Sequence, residues 1–254
     1  MFPLKDNLPT RELPIVTILL ILANAVAYLI LQPKSGIDLF GGSLDQLSLL
    51  HYSVVPYELT HPGSHCVLSA GQIGCGDAVV GDRIATPLTL VTAMFTHAGL
   101  LHLAGNMLFL WIFGANVEEA MGRVRFVLFY VLGGVAAMAL QVLVDPDAVV
   151  PTLGASGAVA GVLGGYLLLY PRAKVITVVF AILLFTIVEI PAVLFLGLWF
   201  AQQIVFGALD LTSPAGGGGV AYVAHAGGFV FGLLAIKLFA IRRNEYAQPR
   251  GLAS

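Results

Sequence analysis

Long apolar runs alternate with short polar connections along most of this chain. A helix that crosses a lipid bilayer needs about 20 mostly apolar residues. Residues 32–95 are rich in Gly, Pro and Asp, which is typical of a loop outside the bilayer. The pattern predicts an all-α polytopic membrane protein, a single domain over residues 1–254 with six spanning helices and a long first extracytoplasmic loop. The predicted spans are 14–31, 102–120, 126–144, 156–170, 190–209 and 225–241.

A further apolar segment, residues 175–190, is interpreted through the charges around it. With six spans and a cytoplasmic N-terminus, ten of the twelve Lys and Arg residues face the cytoplasm. Only Lys34 and Arg83 then lie outside, in agreement with the positive-inside rule. Counting 175–190 as another span would move Arg242 and Arg243 to the outer side. We therefore expect 175–190 to be an interfacial or re-entrant stretch on the cytoplasmic side.

The composition supports a membrane protein and excludes some partners. Hydrophobic residues make up 58% of the chain and charged residues 10%, whereas soluble proteins contain about 45–50% and about 25%. The net charge of −2 provides no basic surface, so no nucleic-acid partner is expected. The polar N-terminus lacks the order of regions of a cleaved signal peptide. Cys66 and Cys75 share the first loop, and two cysteines alone do not establish a disulfide.

Four polar side chains stand out near the starts of apolar segments. His102, Ser156 and His225 each lie near the start of an even-numbered span, so six-span topology places them at one depth near the outer surface. Asn106 lies one helical turn after His102 and shares its helix face. His97 precedes them at the expected junction of loop and helix. Polar groups inside a bilayer are costly and are functional candidates by default.

These residue types fit acyl transfer. A serine hydroxyl becomes a good nucleophile when an adjacent base takes its proton, and His225 is the candidate base for Ser156. The sequence near His225 contains no acid, so a Ser–His dyad is expected rather than a triad. His102, Asn106 and the backbone N–H of Ser156 are candidate donors to an oxyanion.

Glycines near the serine and the histidine favour close helix contact. The pairs Gly157/Gly161 and Gly228/Gly232 have the small-xxx-small spacing that lets two helix backbones approach. Gly154 and Gly157 flank Ala155 and Ser156 and clear space at the start of a short helix. Such an approach would bring a serine and a histidine on separate helices within proton-transfer distance.

Three short motifs carry a family resemblance. The sequences HAGLLHLAGNM at 97–107, GASG at 154–157 and AHAGG at 224–228 fall on the second, fourth and sixth predicted spans. Together they closely resemble the motifs of rhomboid intramembrane serine proteases. The resemblance implies a six-helix rhomboid-like bundle with a short, central fourth span that presents serine to a water-filled depression.

The resemblance also implies roles for the individual residues. Ser156 would be the nucleophile and His225 the general base, while His102 and Asn106 would line the oxyanion site with His97 beside them. No cofactor and no metal are implied. Substrates would be single-pass transmembrane proteins, cleaved in or near the membrane segment. The protein would lie in the plasma or inner membrane, with cytoplasmic termini and an active site open to the extracytoplasmic side.

Some alternatives stay open at this point. Some relatives have an aromatic ring four residues after the serine that stacks on the histidine, where this chain has Ala160. Tyr222 and Phe229 are candidates to orient His225 instead. A catalytically inactive rhomboid-like binder, a polytopic transporter and a metal site of three histidines (His97, His102 and His225) are the rival functions. The oligomeric state, the substrate and its cleavage site are not specified by the sequence.

Overall fold

The computed structural model describes residues 2–31, 50–69, 72–77, 84–181, 184–211 and 220–241. This part of the chain is mostly helical, as predicted. Five residues used in the charge argument lie outside it: Lys34, Arg83, Arg242, Arg243 and Arg250. The α-helices are α1 (Ile15–Leu31), α2 (Pro56–Thr60), α3 (Thr89–Thr92), α4 (Leu100–Phe109), α5 (Ala115–Met121), α6 (Arg123–Val144), α7 (Ser156–Leu169), α8 (Ala192–Leu211) and α9 (Tyr222–Phe239).

Each predicted span coincides with helical structure. A π-helical turn, Leu110–Gly114, joins α4 to α5, so that residues Leu100–Met121 form one continuous helix. Within the described residues, four helices are long and apolar enough to cross a membrane, namely Leu100–Met121, α6, α8 and α9. Helices α1 and α7 are apolar but shorter, with 17 and 14 residues. The chain is therefore a multi-pass membrane protein, and the count of six crossings stays a prediction.

Two small sheets accompany the helices and were not part of the expectation. Strands β1 (Phe2–Asp6), β4 (Lys174–Ala181) and β5 (Leu184–Pro191) form an antiparallel sheet in the order β1-β4-β5. The segment 175–190, expected to be interfacial or re-entrant, is thus a β-hairpin in which Val175 pairs with Ile190. Runs of β-branched residues such as Val175–Val179 favour strands, and apolar content alone does not distinguish a strand from a helix.

Strands β2 (His65–Ser69) and β3 (Gln72–Gly76) form a hairpin in the first loop. Cys66 and Cys75 face each other across this hairpin and are joined by a disulfide. The backbone N–H of Cys66 donates a hydrogen bond of 2.6 Å to the buried carboxylate of Glu58 in α2. The disulfide therefore joins β2 to β3, and the hydrogen bond to Glu58 connects β2 to α2.

The first loop also packs on the segment that leads to Ser156. Val54 and Thr152 exchange two backbone hydrogen bonds, of 2.9 and 2.7 Å, in an isolated antiparallel bridge. The backbone N–H of Tyr57 donates to the carbonyl of Ala148 at 3.1 Å. These bonds position the segment between α6 and α7 from one side.

Helix α7 is the centre of the bundle and is buried along most of its length. Its glycines face those of α9 at backbone contact. A Cβ at Gly228 would overlap the carbonyl oxygen of Gly157, and a Cβ at Gly232 would overlap that of Gly161. The small-residue pairs in the two sequences therefore meet each other, as their spacing predicts.

The opposite end of α7 is held by a half-buried carboxylate. Asp6 in β1 accepts hydrogen bonds from the Tyr166 hydroxyl at 2.5 Å and from Nδ2 of Asn116 at 2.9 Å. Burial raises the pKa of Asp6 to about 6, and the bonds from Tyr166 and Asn116 oppose that rise. The carboxylate is therefore mainly ionised at neutral pH and ties the N-terminal strand to α5 and α7.

Substituting Gly228 with Ala should destabilise the bundle, because the added methyl has no space against Gly157. Overpacking of this kind costs about 1–3 kcal/mol, which thermal unfolding in detergent micelles would detect as a lower midpoint. Gly197→Ala in α8 is the matched control, since a Cβ there meets no atom within 4 Å. An unfolding midpoint unchanged in Gly228→Ala would contradict the backbone contact between α7 and α9.

Reduction of the disulfide should loosen the hairpin of β2 and β3. A disulfide stabilises mainly by restricting the unfolded chain, typically by about 2–4 kcal/mol. We expect dithiothreitol to increase proteolytic cleavage between residues 64 and 77 in the wild type. The double variant Cys66→Ser/Cys75→Ser should be cleaved equally with and without reductant. Equal cleavage of wild type in both conditions would show that the bond does not restrain this loop.

Candidate active site

The loop before α7 fixes the position of Ser156. Gly154 has φ +115°, a left-handed conformation that favours glycine. Its N–H donates to the carbonyl of Ala93 at 2.8 Å, and the N–H of Ala155 donates to Nε2 of His97 at 3.4 Å. Ser156 then begins the helix. The backbone turns sharply just before the serine and presents it at the first position of α7.

Gly154 also makes room for His102. A Cβ at Gly154 would lie 2.8 Å from Cε1 of His102, 2.9 Å from Nε2 of His102 and 3.6 Å from Oγ of Ser156. The space beside Gly154 is thus shared by the imidazole and the serine hydroxyl. Any side chain at this position would displace the ring, so conformation and space both require glycine here.

Ser156 and His225 form a direct hydrogen bond. Oγ of Ser156 lies 2.7 Å from Nε2 of His225, although the two residues are 69 positions apart. The glycine contact between α7 and α9 makes this distance possible. Both side chains are half-buried, so the pair is not sealed in the core. The two residues paired in the sequence analysis thus lie within hydrogen-bond distance, and their catalytic roles stay a prediction.

A third polar side chain completes the contacts of His225. Nδ1 of His225 lies 2.8 Å from Oε1 of Gln203 in the middle of α8. The sequence analysis considered only acids near His225 as partners and did not predict this amide. The signal was available, because Gln203 is a polar residue inside an apolar span and such residues need a partner. Its side chain is only 5% exposed.

The aromatic residues considered for orienting His225 differ in their contacts. The Tyr222 ring meets the His225 ring edge-on, with centroids 6.4 Å apart. Phe229 instead stacks on Phe200 at 4.5 Å. The Trp199 ring lies 6.0 Å from that of His225, tilted by 31°. Two ring contacts therefore border the imidazole, and one of them comes from a residue that the sequence did not indicate.

His97 and His102 lie beside the residues that lead into α7, and Asn106 follows His102 by one helical turn in α4. The rings of His97 and His102 meet edge-on with centroids 5.1 Å apart. His97 is 1% exposed and Asn106 is 8% exposed. Among the described residues, the buried donor Nδ2 of Asn106 has no hydrogen-bond partner, and such groups are rare in folded proteins. A donor of this kind is available to a ligand oxygen that enters the site.

Gly157 has a packing role beside Ser156. A Cβ there would lie 2.6 Å from Cβ of Ala137 in α6, so glycine allows α6 to approach the start of α7. Ala224, next to His225, donates its N–H to Oε1 of Gln141 in α6 at 3.2 Å. The start of α9 is thereby positioned by α6 as well.

The three-histidine metal site has no support in the geometry of the described ranges. Within them, no three His, Cys, Asp or Glu side chains converge in an arrangement that could hold a metal ion. His225 directs its two ring nitrogens to Ser156 and Gln203.

Comparison with known proteins identifies relatives over most of the chain. A Rhomboid domain model matches residues 85–242, more than half of the sequence. RHOMBOID-like protein 4 of Arabidopsis thaliana is 30% identical over 226 residues, covering 84% of this chain and 50% of that protein. Rhomboid protein 1, mitochondrial, of Saccharomyces cerevisiae is 32% identical over 159 residues, covering 60% of this chain and 42% of the relative.

A bacterial relative is named as a protease. Rhomboid protease GluP of Bacillus subtilis is 39% identical over 85 residues, covering 34% of this chain and 15% of that protein. The chain thus spans at most half the length of these three relatives. The domain match and the similarity over most of the chain show that this multi-pass membrane protein belongs to the rhomboid family.

Proposed function

We propose that this protein is an intramembrane serine endopeptidase. The observation that carries the proposal is the 2.7 Å contact between Oγ of Ser156 and Nε2 of His225. A distance of about 2.6–3.2 Å is what proton transfer between a nucleophile and its base requires. Membership of the rhomboid family supports the same activity. No cofactor is needed for this chemistry.

The reaction proceeds through an acyl-enzyme. His225 accepts the hydroxyl proton on Nε2 as Oγ of Ser156 attacks the carbonyl carbon of the scissile peptide bond. The resulting tetrahedral intermediate collapses, the C–N bond breaks, and His225 returns the proton to the leaving amine. A water molecule then attacks the ester carbonyl carbon and gives a proton to His225. The bond from this carbon to Oγ of Ser156 breaks, His225 returns the proton to Oγ, and the second product leaves as the acid.

The oxyanion of each intermediate needs hydrogen-bond donors. The unpartnered Nδ2 of Asn106 is suited to that role, and the imidazole of His102 faces the same space beside Gly154 as Ser156 does. The N–H groups of the first turn of α7 have no carbonyl partner within their own helix. They lie at the positive end of the helix dipole, which favours an anion. His97 supports the loop by accepting the Ala155 N–H.

The setting of the site suggests the substrate class. A serine at the start of a short central helix is reached from within the bundle, so the substrates are expected to be single-pass transmembrane proteins. A peptide bond inside a substrate helix is shielded by its own hydrogen bonds and has to be unwound first. We also propose the plasma or inner membrane as the location. The distribution of Lys and Arg supports cytoplasmic termini and a site open to the extracytoplasmic side.

Alanine at Ser156 or His225 should abolish cleavage of a synthetic transmembrane substrate in detergent or liposomes. Removing either member of a nucleophile–base pair eliminates the covalent route, so we expect a loss of at least about 10³-fold in turnover. Ser64→Ala in the first loop is the control and should cleave normally.

Equal cleavage by all three variants would refute the proposed roles of Ser156 and His225, whereas no cleavage by the wild type would favour an inactive binder or a transporter. Loss of activity on chelation, with Ser156→Ala still active, would point instead to a metal enzyme. Wild-type and variant proteins should be compared at matched folded concentration, so that a folding defect is not read as a catalytic one.

Asn106→Ala should lower turnover while leaving the fold intact. Loss of one oxyanion donor costs about 10²–10³-fold in a well-studied serine protease, and we expect about 10- to 100-fold here because other donors remain. Since Nδ2 of Asn106 has no partner in the resting protein, its loss should not lower the unfolding temperature. A variant with normal turnover and reduced stability would show that Asn106 only holds helices together.

A further inference from the structure

The amide of Gln203 is a buried polar group whose two ends have different partners. Oε1 lies 2.8 Å from Nδ1 of His225, and Nε2 lies 3.3 Å from the backbone carbonyl oxygen of Trp199. Its neighbour Gln202 is exposed. Two adjacent residues of the same type thus occupy opposite environments on α8, and only one of them contacts the site.

The direction of these hydrogen bonds follows from the carbonyl of Trp199. A backbone carbonyl oxygen only accepts hydrogen bonds, so the group of Gln203 that faces it has to be the NH₂. The carbonyl end of the Gln203 amide consequently faces His225. Oxygen Oε1 is also an acceptor, so Nδ1 of His225 carries the proton that bridges them.

The same reasoning extends to the serine. A neutral imidazole carries one proton, so a proton on Nδ1 leaves a lone pair on Nε2. Nε2 therefore accepts from the Oγ–H of Ser156, which is the arrangement a general base needs. The reverse tautomer would direct an N–H at the serine oxygen and leave no base to take its proton.

We propose that Gln203 is a positioning residue that sets the tautomer and ring orientation of His225. This inference rests on the proposed protease function and concerns the same site. In the described part of the chain, Ser156 and Gln203 are the two side chains hydrogen-bonded to His225. Gln203 therefore occupies the place that an aspartate has in a catalytic triad, and it does so without charge.

A neutral amide suits a site at membrane depth. A buried carboxylate would have to lose its hydration, which is costly inside a bilayer. The amide oxygen still accepts from Nδ1 after Nε2 takes the serine proton, so it supports the imidazolium that forms during attack. Gln203 thus provides orientation and part of the electrostatic stabilisation at a lower desolvation cost.

The test compares two substitutions at Gln203 with one at its exposed neighbour. Gln203→Leu removes the acceptor with little change of volume, and Gln203→Glu keeps an acceptor oxygen but loses the donor to Trp199. We expect Gln203→Leu to lower kcat by about 10- to 100-fold with little change in KM, as part of the roughly 10²–10⁴-fold that a positioned general base supplies. Gln203→Glu should keep most of the wild-type kcat, and Gln202→Leu should match wild type.

The kinetic outcomes separate this inference from the proposed function. A wild-type kcat in Gln203→Leu, with Ser156→Ala inactive, would overturn the role of Gln203 and leave the protease proposal in place. Equal loss of kcat and of unfolding temperature in Gln203→Leu and Gln203→Glu would show a packing role and overturn it too. Normal cleavage by Ser156→Ala would instead refute the protease proposal itself.

A spectroscopic measurement keeps the inference testable even if the Gln203 variants do not fold. Nitrogen-15 NMR of histidine-labelled wild-type protein distinguishes a protonated from an unprotonated ring nitrogen, and His225→Ala identifies the His225 signals among six histidines. We expect a protonated Nδ1 and an unprotonated Nε2 near neutral pH. An unprotonated Nδ1 in the neutral ring would overturn the proposal.

Discussion

The backbone contact between α7 and α9 is the constraint on which the rest of this site depends. Ser156 and His225 are on different helices, and they meet at 2.7 Å only because glycines remove the side chains between the two backbones. A side chain at Gly164 or Gly228 would overlap a backbone carbonyl of the facing helix and push α7 and α9 apart, and a hydrogen bond tolerates little lengthening. Packing and proposed chemistry are therefore two consequences of the same small residues. The other elements, from the first loop to the N-terminal strand, hold α7 at its two ends.

A second constraint is the cost of polar groups in an apolar bundle. Three polar side chains, those of Gln203, His225 and Ser156, have hydrogen-bond partners in one connected chain. This chain begins at the backbone carbonyl of Trp199. The amide of Asn106 is different, since its buried Nδ2 donor has no hydrogen-bond partner among the described residues. An unused donor of this kind suits the oxyanion role proposed for Asn106.

Much of the fold could be predicted because hydrophobic length is a direct signal, and α1, α6 and α7 begin or end within about three residues of the predicted spans. The positions of Ser156 and His225 were predictable from their setting in glycine-rich apolar segments. Strands β4 and β5 were not predicted. An apolar segment rich in β-branched residues is compatible with a strand and with a membrane-associated stretch, and the partner strand β1 is more than 150 residues away in sequence. Gln203 was not predicted because its amide is uncharged and because it lies 22 residues from His225, on a different helix. The bridge between Val54 and Thr152 is likewise a backbone contact that side-chain patterns do not encode.

The central claim is that His225 activates Ser156 as a nucleophile, and covalent labelling tests it most directly. A fluorophosphonate reacts with a serine only when that serine is activated, and mass spectrometry of the labelled protein locates the adduct. The account predicts one adduct per chain, on the peptide that contains Ser156, and a labelling rate at least about 100-fold lower in His225→Ala. An adduct on another residue, or labelling of Ser156 at the same rate in His225→Ala, would contradict it.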